Sequence, residues 1–140
     1  MRRNPPEIVI LLGQNSLSQD VGGKQVTIDQ AKYLLQVARY PHVALRIVPN
    51  HSGWHPGLET DFSLIEAPKP TTGRRPVPQT SANLDSIVFV GTRRTVLMLH
   101  EEPDVAAYRW AIGSIAQIAL TEPASLRYIG DLVKRMEHER

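Results

Sequence analysis

Apolar residues recur along the chain with two different periods, and the switches between them predict its elements. Ile8-Val9-Ile10-Leu11-Leu12 is an unbroken apolar, largely β-branched run, the pattern of a strand covered on both faces, and Gly13-Gln14-Asn15-Ser16 ends it with turn chemistry. After Gly22-Gly23 the period lengthens. Ile28, Ala31, Leu34, Leu35 and Ala38 stand three and four residues apart, predicting a helix with one buried stripe that runs to about Arg39 and stops before Pro41. Val43, Leu45 and Ile47 alternate, as do Phe62 and Leu64, which predicts strands over 43–48 and 61–67 able to pair as a wide hairpin.

From Pro68 to Ser86 the periodicity dissolves into Pro, Thr, Gly, Ser and Arg, predicting a long flexible loop or mobile lid. Ile87 to Val90 and Thr95 to Leu99 read as a hairpin around Gly91-Thr92-Arg93-Arg94, in which Gly91 can supply a positive backbone angle. Pro103 suits the first turn of a helix, as do Glu101, Glu102 and Asp104 at the positive end of its dipole; Val105, Tyr108, Ile112, Ile115, Ala116, Ala119 and Leu120 continue its stripe. Thr121 can cap a last helix with the stripe Leu126, Ile129, Leu132, Val133 and Met136. These elements predict one α+β domain over residues 1–140: a mixed, mainly antiparallel sheet of about five strands, one helix after the first strand and two C-terminal helices.

Composition narrows the chemistry. With 140 residues, 41% of them hydrophobic, the chain is long enough for one domain burying roughly two-thirds of its unfolded surface. Sixteen basic and fourteen acidic side chains nearly cancel, and the basic pairs Arg2-Arg3, Arg74-Arg75 and Arg93-Arg94 lie in loops or at the terminus, so no direct nucleic-acid binding is expected. The lack of cysteine excludes disulfides and thiol catalysis, and the run from Ile8 to Leu12 is too short for a signal or membrane segment; the expectation is a cytoplasmic protein without a membrane partner.

Candidate chemistry gathers in the connection Val48 to Leu58, which packs two histidines, a tryptophan and two glycines between two predicted strands. His51 and His55 have the four-residue spacing of ligands on one helix face, but Pro49, Gly53, Pro56 and Gly57 oppose a helix there, so no metal is expected. His55 is the candidate for proton transfer or substrate orientation, against the alternative that a ring nitrogen bonds loop backbone. Glu66 shares the phase of Phe62 and Leu64, so its carboxylate could enter a cavity and act as acid or base, or point to water; Asp61 poses the same question. For ligand binding, Trp54 offers a broad apolar face with one donor, His51 lies three residues before it in the same connection, and Arg46, out of phase with Leu45 and Ile47, could meet a carboxylate or solvate a sheet face. Tyr108 falls on its helix stripe and reads as core, whereas Trp110 falls off it and could cover another element or a partner. No G-x-G-x-x-G follows a strand, and no cofactor is expected.

The order of elements, with Val21-Gly22-Gly23, Gln30 and Leu34-Leu35, Val43-x-Leu45-x-Ile47-x-Pro49, Gly53-x-His55-Pro56-Gly57 and Phe62-x-Leu64-Ile65-Glu66, resembles the C-terminal effector-type domain of actinobacterial helix-turn-helix regulators of the WhiJ and antitoxin-like type. The resemblance continues through Phe89-Val90, Tyr108-Arg109, Ala119-Leu120 and Ser125. It implies a domain that receives a small molecule or a partner protein, here read as standing alone without the DNA-binding head. Gly13-Gln14 replaces an Asp-Glu pair usual in that family, Gly91 replaces a Glu, and the Pro68 to Ser86 loop is longer than usual. The leading expectation is ligand or partner binding in specialised metabolism or its control. The alternatives are a cofactor-free cyclase or isomerase of a biosynthetic pathway using His55, Glu66 or Asp61 for proton transfer, and a protein-interaction module such as one half of a homodimer.

Overall fold

The computed structural model describes residues 5–19, 21–67 and 86–139. These fall into two compact units, one built from the described residues of 1–53 and 116–140, the other from those of 54–115.

In the first unit β1 (Ile8–Gly13) and β2 (Val43–Val48) pair in parallel, Ile8 opposite Val43 and Gly13 opposite Val48. Parallel neighbours need a crossover, and the chain supplies one through the single-turn helix α1 (Asn15–Ser18) and the longer α2 (Lys24–Val37). Gly22 and Gly23, at φ 87° and 94°, turn the chain into α2 through a region that side chains with a Cβ avoid. Ile28 and Ala31 of α2 are buried with Leu45 and Ile47 of β2 and with Ile129, Leu132 and Val133 of α4 (Glu122–His138). Each buried isoleucine contributes about 1.5–3 kcal/mol through apolar area removed from water. Cover on both faces of the first strand is incomplete, since Ile8 and Val9 are exposed.

The outer edge of β2 is closed by a helix corner rather than by another strand. The Ile47 amide donates to Ser125 Oγ at 2.8 Å, and its carbonyl accepts from the Leu120 amide at 2.8 Å. One residue earlier, Arg46 Nη2 donates to the carbonyls of Ala116 and Ala119 at 2.8 and 3.0 Å, and Nε to that of Leu120 at 2.8 Å. These carbonyls end α3 (Glu102–Ile118), where intrahelical donors run out and a cation is favoured by the dipole. Thr121 caps α4 as expected, its Oγ1 accepting from Ala124 N at 3.3 Å. Gln14 joins the end of β1 to its surroundings, its amide donating to Tyr128 Oη at 3.0 Å and accepting from Asn50 N at 2.9 Å.

In the second unit β3 (Phe62–Glu66), β4 (Ser86–Gly91) and β5 (Val96–Leu99) form an antiparallel sheet in that order. Val88 and Val90 are buried with Val105 of α3, and Phe62, Leu64, Leu99 and Tyr108 pack around them. The five expected strands are therefore present but divided between two sheets, and the expected hairpin of 43–48 with 61–67 does not form. Its physical reason is that β2 has spent one edge on β1 and the other on the Leu120 to Ser125 corner, while β3 pairs with β4. Gly91 ends β4 without a positive φ; the turn is closed by Thr92 N donating to Thr95 O at 2.7 Å and Thr95 N donating to Thr92 Oγ1 at 3.1 Å. The expected loop from Pro68 lies outside the described residues up to Ser86, which begins β4.

Ser125 is fully buried and is the acceptor for the Ile47 amide. Ser125→Ala is expected to lower stability by about 1–3 kcal/mol by leaving that amide without a partner, and Arg46→Met by a similar amount. Urea denaturation measures both, and unchanged midpoints would show that the corner does not hold β2.

Candidate functional site: an aromatic groove

A groove of about 430 Å³ opens on the second unit, and its walls are the two tryptophans of the chain. Trp54 and Pro56 come from the connection that follows β2, Trp110 from the middle of α3. Both indoles are largely in water, at 67% and 65% exposure. Between them α3 presents Ala107 and Ala111, four residues apart and so on one helix face, whose small side chains leave the depth of the groove unfilled. Phe62 and Tyr108 complete the aromatic lining and hold each other edge to face, ring centres 4.8 Å apart and planes at 64°. Glu59 and Thr60 supply polarity, with Glu59 as the sole charged residue among the described lining residues.

The expected site residues are distributed rather than gathered. Trp54 is on the groove. His55 is its chain neighbour but is not in the lining: its ring is half-buried against Gly57, and Nδ1 is buried with no hydrogen-bond partner among the described residues. Asp61 is exposed on a second, shallow depression shared with Phe62, Ser63, Phe89, Gly91 and Val96. Glu66 ends β3 in the open, its Oε1 accepting from Arg109 Nε at 2.9 Å and Nη2 at 2.6 Å. That hydrogen bond, then the charge of Glu66, raises the Arg109 guanidinium pKa above its ordinary value, against a smaller lowering by desolvation and with a still smaller push up from Glu102. Among the described residues, the first groove is lined by none of His55, Asp61 and Glu66 and the second by Asp61 alone, so neither groove brings the proton-transfer set expected for a cyclase or isomerase together.

In the first unit, His51 is exposed in the 3-10 turn Asn50–Ser52. Arg46 corrects its expectation as a ligand-binding or solvated cation: its guanidinium is committed to the three carbonyls ending α3. Among the described residues no three His, Asp or Glu side chains converge as a metal site, and no helix is long and apolar enough to cross a membrane.

Glu59, Thr60, Phe62 and Ala107 were not singled out as site residues by pattern. The legible signal was Trp110, a large apolar side chain off the buried stripe of an amphipathic helix.

Gly57 owes its identity to close approach. A Cβ there would lie 3.0 Å from His55 Nδ1 and 3.1 Å from both His55 Cε1 and Ile115 Cδ1. Gly57→Ala is expected to displace the His55 ring and cost about 1 kcal/mol by overpacking. In a His55→Ala background most of that cost should vanish, which a double-mutant cycle of thermal unfolding measures. Equal costs in both backgrounds would show that the ring is not what Gly57 accommodates.

No curated protein and no solved structure is similar enough to this chain to match it. A family model described as a domain of unknown function (DUF5753) matches residues 1–131, and the chain belongs to that family.

Proposed function

We propose that this is a binding domain that takes an amphipathic small molecule with an apolar ring and a positive charge in the groove between Trp54 and Trp110. The observation that carries the reading is the pair of exposed indoles on one apolar groove. Two such faces in water are unfavourable unless an apolar partner covers them, and the groove volume falls within the roughly 300–1,000 Å³ usual for small-molecule sites. The charge follows from the lining. Glu59 offers a carboxylate, no basic residue stands among the described lining residues, and the faces of Trp54 and Trp110 attract cations. An effector role of this kind agrees with the resemblance to the C-terminal domains of helix-turn-helix regulators, in which ligand capture would be the input to control of specialised metabolism.

Because Trp54 and Trp110 are the only tryptophans, intrinsic indole fluorescence reports on this groove alone. Benzyltrimethylammonium is a suitable probe, and a saturable change in fluorescence is expected. Ala107→Leu should fill the groove and abolish the change while shifting stability by no more than about 0.5 kcal/mol, since Ala107 is exposed. Glu59→Gln should weaken binding by roughly threefold to tenfold through loss of the carboxylate. A fluorescence change that does not saturate, or that persists undiminished in Ala107→Leu, would contradict the reading.

A further inference from the structure

We propose that β5 is a dimerisation strand, pairing antiparallel with β5 of a second copy so that the two three-stranded sheets become one of six. Among the described residues β5 has one strand neighbour, β4, and its other edge is open. The direction of its backbone groups follows from the turn. Thr92 and Thr95 are bonded to each other, and bonding alternates along an antiparallel ladder. Leu97 and Leu99, opposite Val90 and Val88, therefore bond to β4, while Val96 and Met98 turn their N–H and C=O groups outward.

Strand edges that stay monomeric are usually guarded by a lysine, a proline or a bulge. This one has none. Val96, Leu97 and Met98 are instead 62%, 51% and 63% exposed, an apolar edge with unspent donors and acceptors.

Charge at the two ends of β5 selects a second copy as the occupant. Arg93 and Arg94 precede the strand, Glu101 follows it, and these three side chains are exposed with no ion-pair partner among the described residues. A two-fold axis perpendicular to the sheet must pass between two identical residues. Centred on Leu97, the register sets Val96 opposite Met98 of the second copy, so that their outward groups exchange hydrogen bonds on both sides of the axis. Antiparallel pairing also brings the basic turn Arg93-Arg94, which precedes β5 in one copy, toward Glu101, which follows β5 in the other, an approach of opposite charges made twice by symmetry. The strand is only four residues long, so the interface is below the size of a permanent dimer and its dissociation constant should lie in the micromolar range.

Sedimentation velocity of the full chain over a low- to high-micromolar series tests the proposal, with circular dichroism as the folding control. A monomer–dimer equilibrium is expected. Met98→Pro removes an outward amide without touching the ladder to β4 and should leave monomer at every concentration. Arg93→Glu and Glu101→Arg should each weaken the dimer roughly tenfold, and the double reversal should restore it, as charge complementarity requires. If Met98→Pro does not fold, the two exposed charge reversals and their combination decide alone. A chain monomeric throughout overturns the proposal, as does a dimer indifferent to both charge reversals.

Discussion

Backbone donors and acceptors along the edge of a strand must be satisfied, and two short sheets leave this protein with several such edges to manage. The edge of β2 shows how one is handled. Ile47 gives its amide to a buried serine and its carbonyl to the Leu120 amide, while the neighbouring Arg46 takes the carbonyls that end α3. One pair of residues thereby satisfies a strand edge and a helix terminus together. The consequence reaches function, because a guanidinium held by three carbonyls is removed from the list of ligand-binding groups. It reaches topology as well, because a strand with both edges used cannot accept β3.

The second unit is organised by a different balance. Its apolar centre is small, Val88 and Val90 against Val105, and much of its aromatic content lies at the surface instead. Phe62 and Tyr108 do two jobs, packing around those valines with one side of their rings and lining the groove with another. The alanines at 107 and 111 leave space that leucines would fill, and the two indoles flank it. The groove thus sets small residues beside large aromatic ones, with Glu59 the one charged side chain among the described lining residues.

Most of the local structure was legible because its signals are local. The helix stripes of 24–37 and 122–138, the Thr121 cap and the 87–99 hairpin each depend on residues a few positions apart. The division into two sheets was not legible, since alternation marks a strand but not its neighbour, and Ile47 meets Ser125 across 78 positions. The site was half legible for the same reason. Trp54 stood out as an indole in a turn-rich connection and Trp110 as an indole off its stripe, yet nothing in either segment joins the two. His55 drew attention for its chemistry, whereas its ring is held against Gly57 away from the groove. Glu66 followed the phase of Phe62 and Leu64, but it ends its strand, where the phase no longer leads into the interior and Arg109 meets it in the open.

The most direct test of the groove is fluorine NMR of the chain labelled with 5-fluorotryptophan, which gives one resonance for Trp54 and one for Trp110, assigned by single substitution. Titration with benzyltrimethylammonium should move both resonances along the same binding curve, as one ligand between two indoles requires. Movement of neither resonance, or of the two with unrelated affinities, would contradict a shared site.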